Sequence, residues 1–370
     1  MDFEFTEDQL HLRESARKVL ESACPPSLVR AAFEASSDDG ALWATLVGLD
    51  WPGLGIDEAH GGLGLGFLEV GILVEELGRV VAPTPFLASI TQLAPLVREA
   101  GSTFALADLA AGRTTGSVAI AEGGQWRFDA VRATARSTGA GWVLDGVKSH
   151  VLDGATADEI AVVARGDGGL GAFVVPRSDV QTTPAGQLID PTLPVATVTL
   201  AAVEVAGDRV LVEPGDPNAE RVLGRALEEA TVAMALSTVA PCRAIFETTL
   251  QYAKDREQFG KPIGSFQALK HRLAECYLAV ERASALSYFA ALTIAEDDPR
   301  RAVATSMAKA TAGECQRLLV RDGLQLHGGV GFTWEHDLHF LLKRAKAGDL
   351  LFGTAAFHRA RLGELLGLAA

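Results

Sequence analysis

Asp255-Arg256-Glu257-Gln258-Phe259-Gly260-Lys261-Pro262-Ile263, followed shortly by Phe266-Gln267, is the stretch on which the reading of this sequence turns. Before it, Arg225 to Phe259 contains no glycine and one proline, Pro241, and reads as a long helix kinked at that residue. After it, Phe266 to Asp298 contains neither glycine nor proline and reads as a second long helix. Pro299 suits the first turn of a third, running to Asp322, and a fourth begins near Trp334. Four long amphipathic helices with short connections make an antiparallel bundle. The 255–263 junction then sets one fixed cation and amide donors at helix ends, which is what a diphosphate needs. The same residues also make an ordinary turn, with glycine as C-cap and Arg256 in a surface ion pair. Residue chemistry alone leaves both readings open.

Upstream, from about Thr114 to Pro214, the hydrophobic period changes to two. Ser117-Val-Ala-Ile-Ala, Ala140-Gly-Trp-Val-Leu-Asp-Gly-Val-Lys, Glu159-Ile-Ala-Val-Val-Ala, Gly171-Ala-Phe-Val-Val and Val195-Ala-Thr-Val-Thr-Leu are short β-type runs between Gly, Asp and Pro turns. No helical segment interrupts them, which favours a compact antiparallel barrel or sandwich. From Phe5 to about Gly112 the pattern is helical. Thr6-Glu7-Asp8-Gln9 reads as a capping box, glycines break the pattern at 53–66, and a helix resumes from Phe67 to Leu77. The expected architecture is α+β multidomain: an all-α domain over 1–113, a β domain over 114–218 and a four-helix bundle over 219–370.

The chain has 370 residues, 48% hydrophobic and 22% charged, enough for a sizeable core. Its 33 Lys+Arg against 47 Asp+Glu, a net charge of −14, argue against nucleic acid or an anionic membrane as partner. The acidic start, Met1-Asp2-Phe3-Glu4-Phe5, lacks the pattern of a secretory signal, and four dispersed cysteines without a CxxC pair suit a reduced compartment. A cytoplasmic location is expected.

Gln325-Leu326-His327-Gly328-Gly329-Val330-Gly331-Phe332 closes the third long helix. Its glycines let backbone N–H groups face a ligand, and Gln325 adds an amide; a helix C-cap and turn is the plainer reading. His336 and His339 stand three apart without a third ligand, so hydrogen bonding fits them better than a metal. There is no P-loop, GxSxG elbow or strand-borne GxGxxG.

The two junction motifs, together with Phe3-Glu-Phe-Thr-Glu-Asp-Gln, Gly61-Gly62-Leu63-Gly64, Glu75-Glu76-Leu77-Gly78 and Trp142-Val-Leu-Asp-Gly-Val-Lys148, resemble those of the acyl-CoA dehydrogenase family. The resemblance spans essentially the whole chain, in the family's helical–β–four-helix order. It implies an FAD enzyme that oxidises the α,β bond of an acyl-CoA thioester, a carboxylate taking the α-proton while the flavin accepts the β-hydride. By the resemblance, Arg256, Gln258, Phe266 and Gln267 hold the diphosphate and adenine side of FAD. Gln325, Gly328 and Gly329 hold the same half from a neighbouring subunit, and Thr354 sits near the diphosphate. Electron-transfer flavoprotein is the implied electron acceptor, and the implied assembly is a dimer of dimers.

The departures from the family pattern concern catalysis. Where many members carry Tyr-Glu-Gly-Thr, with the Glu as base, this chain has Leu351-Phe352-Gly353-Thr354. The alternate base position on the first bundle helix is Ala230, with Glu229 and Glu228 beside it, and the arginine that often assists the substrate is replaced by Thr231. Both glutamates, early in a helix, are expected to be solvated acids favouring its positive end. The flavin loop is reduced to Ala121-Glu122-Gly123-Gly124-Gln125. The catalytic residue is thus unassigned. The chain resembles the weaker subunit of bacterial mixed tetramers, some acting on steroid side chains, in which a related chain supplies the base. The alternatives are a self-sufficient dehydrogenase using Glu229 or Glu228, or a non-catalytic structural subunit.

Overall fold

The computed structural model describes residues 4–35, 40–139 and 141–368; Met1, Asp2, Phe3 and Ala140, quoted above, lie outside them. The helical start comprises α1 (Glu7–Ala23), α2 (Pro26–Ala35), α3 (Ala41–Val47), α4 (Phe67–Arg79), α5 (Phe86–Ala88), α6 (Ala94–Glu99) and α7 (Leu106–Ala110). The strands β1 (Gly116–Ala119), β2 (Thr134–Ser137), β3 (Gly141–Leu152), β4 (Glu159–Gly166), β5 (Gly169–Pro176), β6 (Gln181–Pro184), β7 (Val195–Ala206) and β8 (Val210–Val212) follow. Then come α8 (Ala219–Asp255), the short strands β9 (Glu257–Gln258) and β10 (Lys261–Pro262), α9 (Gln267–Ala295), α10 (Arg301–His327), α11 (Leu338–Leu350) and α12 (Ala355–Leu365).

These elements form two compact units, each built from separated stretches of chain: 1–38, 67–83 and 231–370 in one, 39–66 and 84–230 in the other. In the first unit, α1 starts on the capping box: the Gln9 N–H reaches Thr6 Oγ1 at 3.2 Å and the Thr6 N–H reaches Gln9 Oε1 at 3.0 Å. Against it lies α4, whose Glu75 and Glu76 are buried yet satisfied by Arg13 and Arg17. Tyr288 of α9 also donates to Glu75, so one buried carboxylate joins three helices. Gly78 lets α4 close on α8: a Cβ there would come within 3.0 Å of Ala240 and 3.1 Å of the Ser237 carbonyl oxygen. That carbonyl is the one left without its helical partner by Pro241, which α8 accommodates without a break in the helix.

Two expectations for the bundle are corrected here. The first long helix ends at Asp255 rather than Phe259, because Gln258 and Lys261 pair across a hairpin with Phe259 (φ 55) and Gly260 (φ 73) both left-handed, as a two-residue turn requires. The fourth helix is broken into α11 and α12, and the break falls on Leu351–Thr354.

In the second unit the strands run β6-β7-β3-β2-β4-β5-β8, with β1 beside β4. Most pairs are antiparallel, but β1 and β2 each pair parallel to β4, so the expected antiparallel sheet is mixed. The parallel pairing follows from connection: β3 lies between β2 and β4 in sequence and returns the chain to the starting edge. Its core is aliphatic, with Leu144, Ile160, Val162, Phe173, Val198 and Leu200 buried together.

Candidate active site

Between α11 and α12, Phe352 is buried with φ 58 and Gly353 follows with φ 97. Two interior groups hold this left-handed pair. Lys309 of α10, fully buried, donates to the carbonyls of Gly348 (3.0 Å), Asp349 (3.0 Å) and Gly353 (2.9 Å). The His358 ring lies 2.9 Å from the Phe352 carbonyl and 3.5 Å from the Ser306 hydroxyl. Burial pushes the Lys309 ammonium down to about 7. Burial, with the Lys309 charge beside it, pushes His358 down to about 3. Thr354 caps α12, its hydroxyl accepting from the Phe357 N–H at 3.4 Å. A phenyl ring cannot take a proton, so the segment is a rigid support with no base of its own.

Glu229 corrects another expectation. Since α8 begins at Ala219, Glu229 lies beyond its first turns, and it is 2% exposed rather than solvated. Its carboxylate is ion-paired and hydrogen-bonded with Arg98 of the preceding residues 94–99. Ala230 and Thr231 beside it are also buried, and Glu228 is half-buried.

The Arg256 and Gln325 motifs meet at one end of the bundle. The Tyr252 ring stacks on His327 with centroids 4.5 Å apart, and Ala253, Leu273 and Leu326 pack together beneath Ile263 and Leu269. Arg256, Gln258, Gln267 and Gln325 are exposed on that end. Among the described residues Arg256 has no ion-pair partner, against the surface-pair reading, and the Gln325 amide has no hydrogen-bond partner. Gln258 donates to the Glu257 carbonyl (2.7 Å), Gln267 contacts His271 (3.2 Å), and the Lys261 ammonium sits 4.5 Å above the Phe266 ring. Gly328 has φ 60 and ψ −141, open in practice to glycine. A Cβ on Gly329 would meet nothing within 4 Å, so packing does not require glycine there, and the space above it is open. An unpaired guanidinium beside glycine backbone suits a diphosphate, so these residues fit an adenine dinucleotide. Thr354 lies elsewhere, alongside the first half of α10.

His336 and His339 are used locally: the Leu338 N–H donates to His336 Nδ1 at 3.1 Å, and His339 stacks on Trp334 and contacts its carbonyl at 3.2 Å. In the second unit, Gly123 (φ 57) and Gly124 (φ 77) form a tight turn. Glu122 accepts from the N–H groups of Arg132 and Ala133 and pairs with the buried Lys148 Nζ at 2.5 Å. Burial alone would raise its carboxyl, but Lys148 and the two N–H groups hold it below the usual range. Sequence reasoning missed the inward Lys148, because register shifts on either side of it interrupt the alternation of β3. It also missed Arg98 and Lys309, whose partners lie 131 and 39 to 44 residues away in the chain, and His358, which bonds Phe352 six residues back and Ser306 52 residues back.

The helical start, the mixed sheet and the long C-terminal helices follow one another along the chain in a helical–β–helical order. The chain belongs to the acyl-CoA dehydrogenase family and is an oxidoreductase acting on acyl-CoA. Residues 6–104 match the acyl-CoA dehydrogenase N-terminal domain and residues 221–367 the C-terminal domain. Acyl-CoA dehydrogenase IpdE2 of Mycolicibacterium smegmatis is 30% identical over 353 residues, covering 94% of this chain and 95% of that one. A chain of the ChsE4–ChsE5 complex from Mycobacterium tuberculosis is 26% identical, with a TM-score of 0.89 and full coverage of both chains (100% and 100%). A variant of the Tcur3481–Tcur3483 steroid ACAD is 29% identical, with a TM-score of 0.87 over 98% of each chain. Members of the family are FAD-dependent flavoproteins.

Proposed function

We propose that this chain is one subunit of an FAD-dependent acyl-CoA dehydrogenase that desaturates the α,β bond of an acyl-CoA thioester, the α-proton being taken by a carboxylate of a related partner chain. The observation that carries the reading is Phe352: buried, left-handed and clamped through its own carbonyl, it fills the place of the family's base with a hydrocarbon ring. Glu229 is a poor substitute. One of its carboxylate oxygens, Oε1, is engaged by Arg98.

Bound FAD supplies the hydride acceptor. In this reading Arg256, Gln258, Phe266 and Gln267 hold its diphosphate and adenine side, and Gln325, Gly328 and Gly329 serve the cofactor of a neighbouring subunit. Thr354 offers the N-terminus of α12 to the diphosphate. The thioester α-proton is weakly acidic, so the acyl group must lie in a dry site with its carbonyl polarised. The electrons pass on to electron-transfer flavoprotein. The heteromeric complexes named by two of the structural relatives support a mixed assembly for this chain.

The test is to purify the chain alone and with a related chain that carries a glutamate at either base position, then measure flavin content and turnover on a panel of acyl-CoAs. Turnover only in the mixed assembly is expected. Clear dehydrogenation by the pure homo-oligomer would return the base to Glu229.

A further inference from the structure

The first compact unit contains an open cavity of about 600 Å³, and none of its lining residues is assigned above to FAD or to the acyl group. Its wall comes from the end of α1, the start of α2, the end of α4, α8 and the start of α11. Val29, Val81, Leu338 and Phe340, all buried, give it a hydrocarbon lining. A space of this size suits a small organic molecule.

Packing alone does not explain two features of the wall. Val81 closes α4: its N–H donates to the Gly78 carbonyl at 3.2 Å, and the Ala82 N–H donates to the Leu77 carbonyl at 3.0 Å. This pair of bonds is the Schellman motif, and Val81 stands where glycine is usual. It adopts φ 57, an outlying conformation for a β-branched residue. A glycine would end the helix without that strain, yet the position carries an isopropyl group on a cavity wall. Strain of this kind collects at ligand sites. Arg79, two residues earlier, lines the same cavity. Its Nη2 pairs with Glu247, while Nη1 is buried with no hydrogen-bond partner among the described residues. A guanidinium N–H kept from water without an acceptor is disfavoured. His336, also on the wall, accepts the Leu338 N–H at Nδ1 (3.1 Å), so its ring proton is on Nε2.

Charge narrows what the cavity takes. Arg79 is already balanced by Glu247, and Asp337 by Arg30. The other charges on the wall, Glu21 and Glu335, are negative, exposed and in no ion pair among the described residues. An anion would meet two like charges and no unbalanced cation. An organic cation would leave the guanidinium unsatisfied and gain little from exposed acids. Neutral oxygen is left as the group that suits donors set in hydrocarbon. From this we infer that the cavity binds a neutral, largely apolar molecule through an oxygen that accepts from the Arg79 guanidinium, with the His336 Nε2–H as a second donor. Acyl-CoA, with its anionic phosphates, is not such a molecule, so the inference goes beyond the reading above and does not depend on it.

The test uses three probes that share one ring: cyclooctanone, cyclooctanecarboxylate and cyclooctylammonium. The FAD-loaded protein, with any chain that co-purifies, is titrated with each by calorimetry. The ketone should bind roughly tenfold or more tightly than either ion. Arg79→Leu should weaken the ketone about tenfold, as expected for a lost hydrogen bond to a charged donor. Val81→Gly removes part of the lining and should weaken the ketone several-fold; it serves if the arginine variant does not fold. Butanoyl-CoA should not displace the ketone, which separates this cavity from a substrate site. An ion bound as tightly as the ketone, an affinity unchanged in the variants, or displacement by butanoyl-CoA would overturn the inference. So would the absence of binding at millimolar ketone. None of these outcomes bears on turnover of acyl-CoA, which the mixed-assembly experiment tests separately.

Discussion

The imidazole of His358 lies 2.9 Å from the carbonyl oxygen of Phe352 and donates to it from Nε2, with Nδ1 facing the Ser306 hydroxyl. The bond holds in a left-handed conformation a residue whose side chain makes that conformation costly, by about 1–2 kcal/mol. Phe352 is thereby a fixed structural joint between α11 and α12.

That joint should be acid-sensitive. His358 titrates near 3 in the native state and near 6.5 when unfolded. As pH falls from 6.5 towards 3, the unfolded chain binds a proton that the native chain does not. Its contribution is therefore complete above 6.5 and lost on the way down. His358→Gln should be less stable than wild type at pH 7, by about 1–2 kcal/mol for the disturbed buried hydrogen bond, and the gap should close or invert by pH 4.5. Urea unfolding at the two pH values checks this; a constant gap refutes it.

Lys309 has the same sign in a different window. Its native value near 7 lies below the unfolded 10.5, so between them the unfolded chain holds the extra proton. Stability from this group rises with pH across that range and is flat below it. The stability of wild type relative to Lys309→Met should increase from pH 7 to pH 9. A difference that falls with pH would show that the three carbonyls keep the ammonium charged.

The Arg98–Glu229 pair is asymmetric, with Glu229 buried and Arg98 39% exposed at its side chain. Removing the arginine strands a buried carboxylate; neutralising the glutamate leaves a cation that can still reach water. Arg98→Ala should therefore cost about 2–3 kcal/mol, the upper value for a buried pair being discounted for solvent, and Glu229→Gln clearly less. Glu229→Gln should also leave turnover of the assembled complex within a few-fold of wild type. Loss of about a hundredfold or more would identify a general base.

Arg256→Ala should reduce bound FAD far more than it lowers the melting temperature of the flavin-free protein, because the guanidinium is exposed and makes no ion pair among the described residues. Flavin absorbance per protein after gel filtration reads the first quantity and calorimetry the second. Equal occupancy in variant and wild type would remove Arg256 from the cofactor site.

The FAD-loaded protein should be an oligomer. Tyr277 (48% exposed) and Leu278 (67%) stand out on α9, and Phe259 (91%), Phe332 (74%) and Trp334 (46%) cluster in sequence with the cofactor motifs. Exposed aromatics in this number suit a subunit boundary. A stable FAD-loaded monomer in light scattering would contradict it.

Local pattern was enough for much of the architecture. Thr6 and Gln9 mark the start of α1 because a capping box is a contact between residues three apart, and a long gap without glycine or proline marks α9, whereas α10 runs through Gly313 and Gly323 to His327, past the end expected at Asp322. The strands with alternating or continuous apolar runs, β1, β3, β4, β5 and β7, were legible too. β2, β6 and β8 were not, being three or four residues long, with β2 and β6 mostly exposed and so free of any apolar pattern. The composition of the Arg256 and Gln325 motifs pointed to helix ends and a diphosphate. Their meeting at one end of the bundle depends on Tyr252 stacking with His327, 75 residues on. That Phe352, whose ring takes no proton, stands where the resemblance puts the family's base was legible too, since identity at a position needs no geometry. What only the tertiary structure decided was what surrounds such positions. Leu351–Thr354 contains no proline, and its break from helix is imposed by Lys309 and His358 from outside the segment. Glu229 reads as a surface acid until Arg98 is brought to it, and Gln92 as one more polar residue until folding buries it without a partner. Burial and pairing are properties of neighbours distant in the chain, which no spacing within a helix or strand encodes.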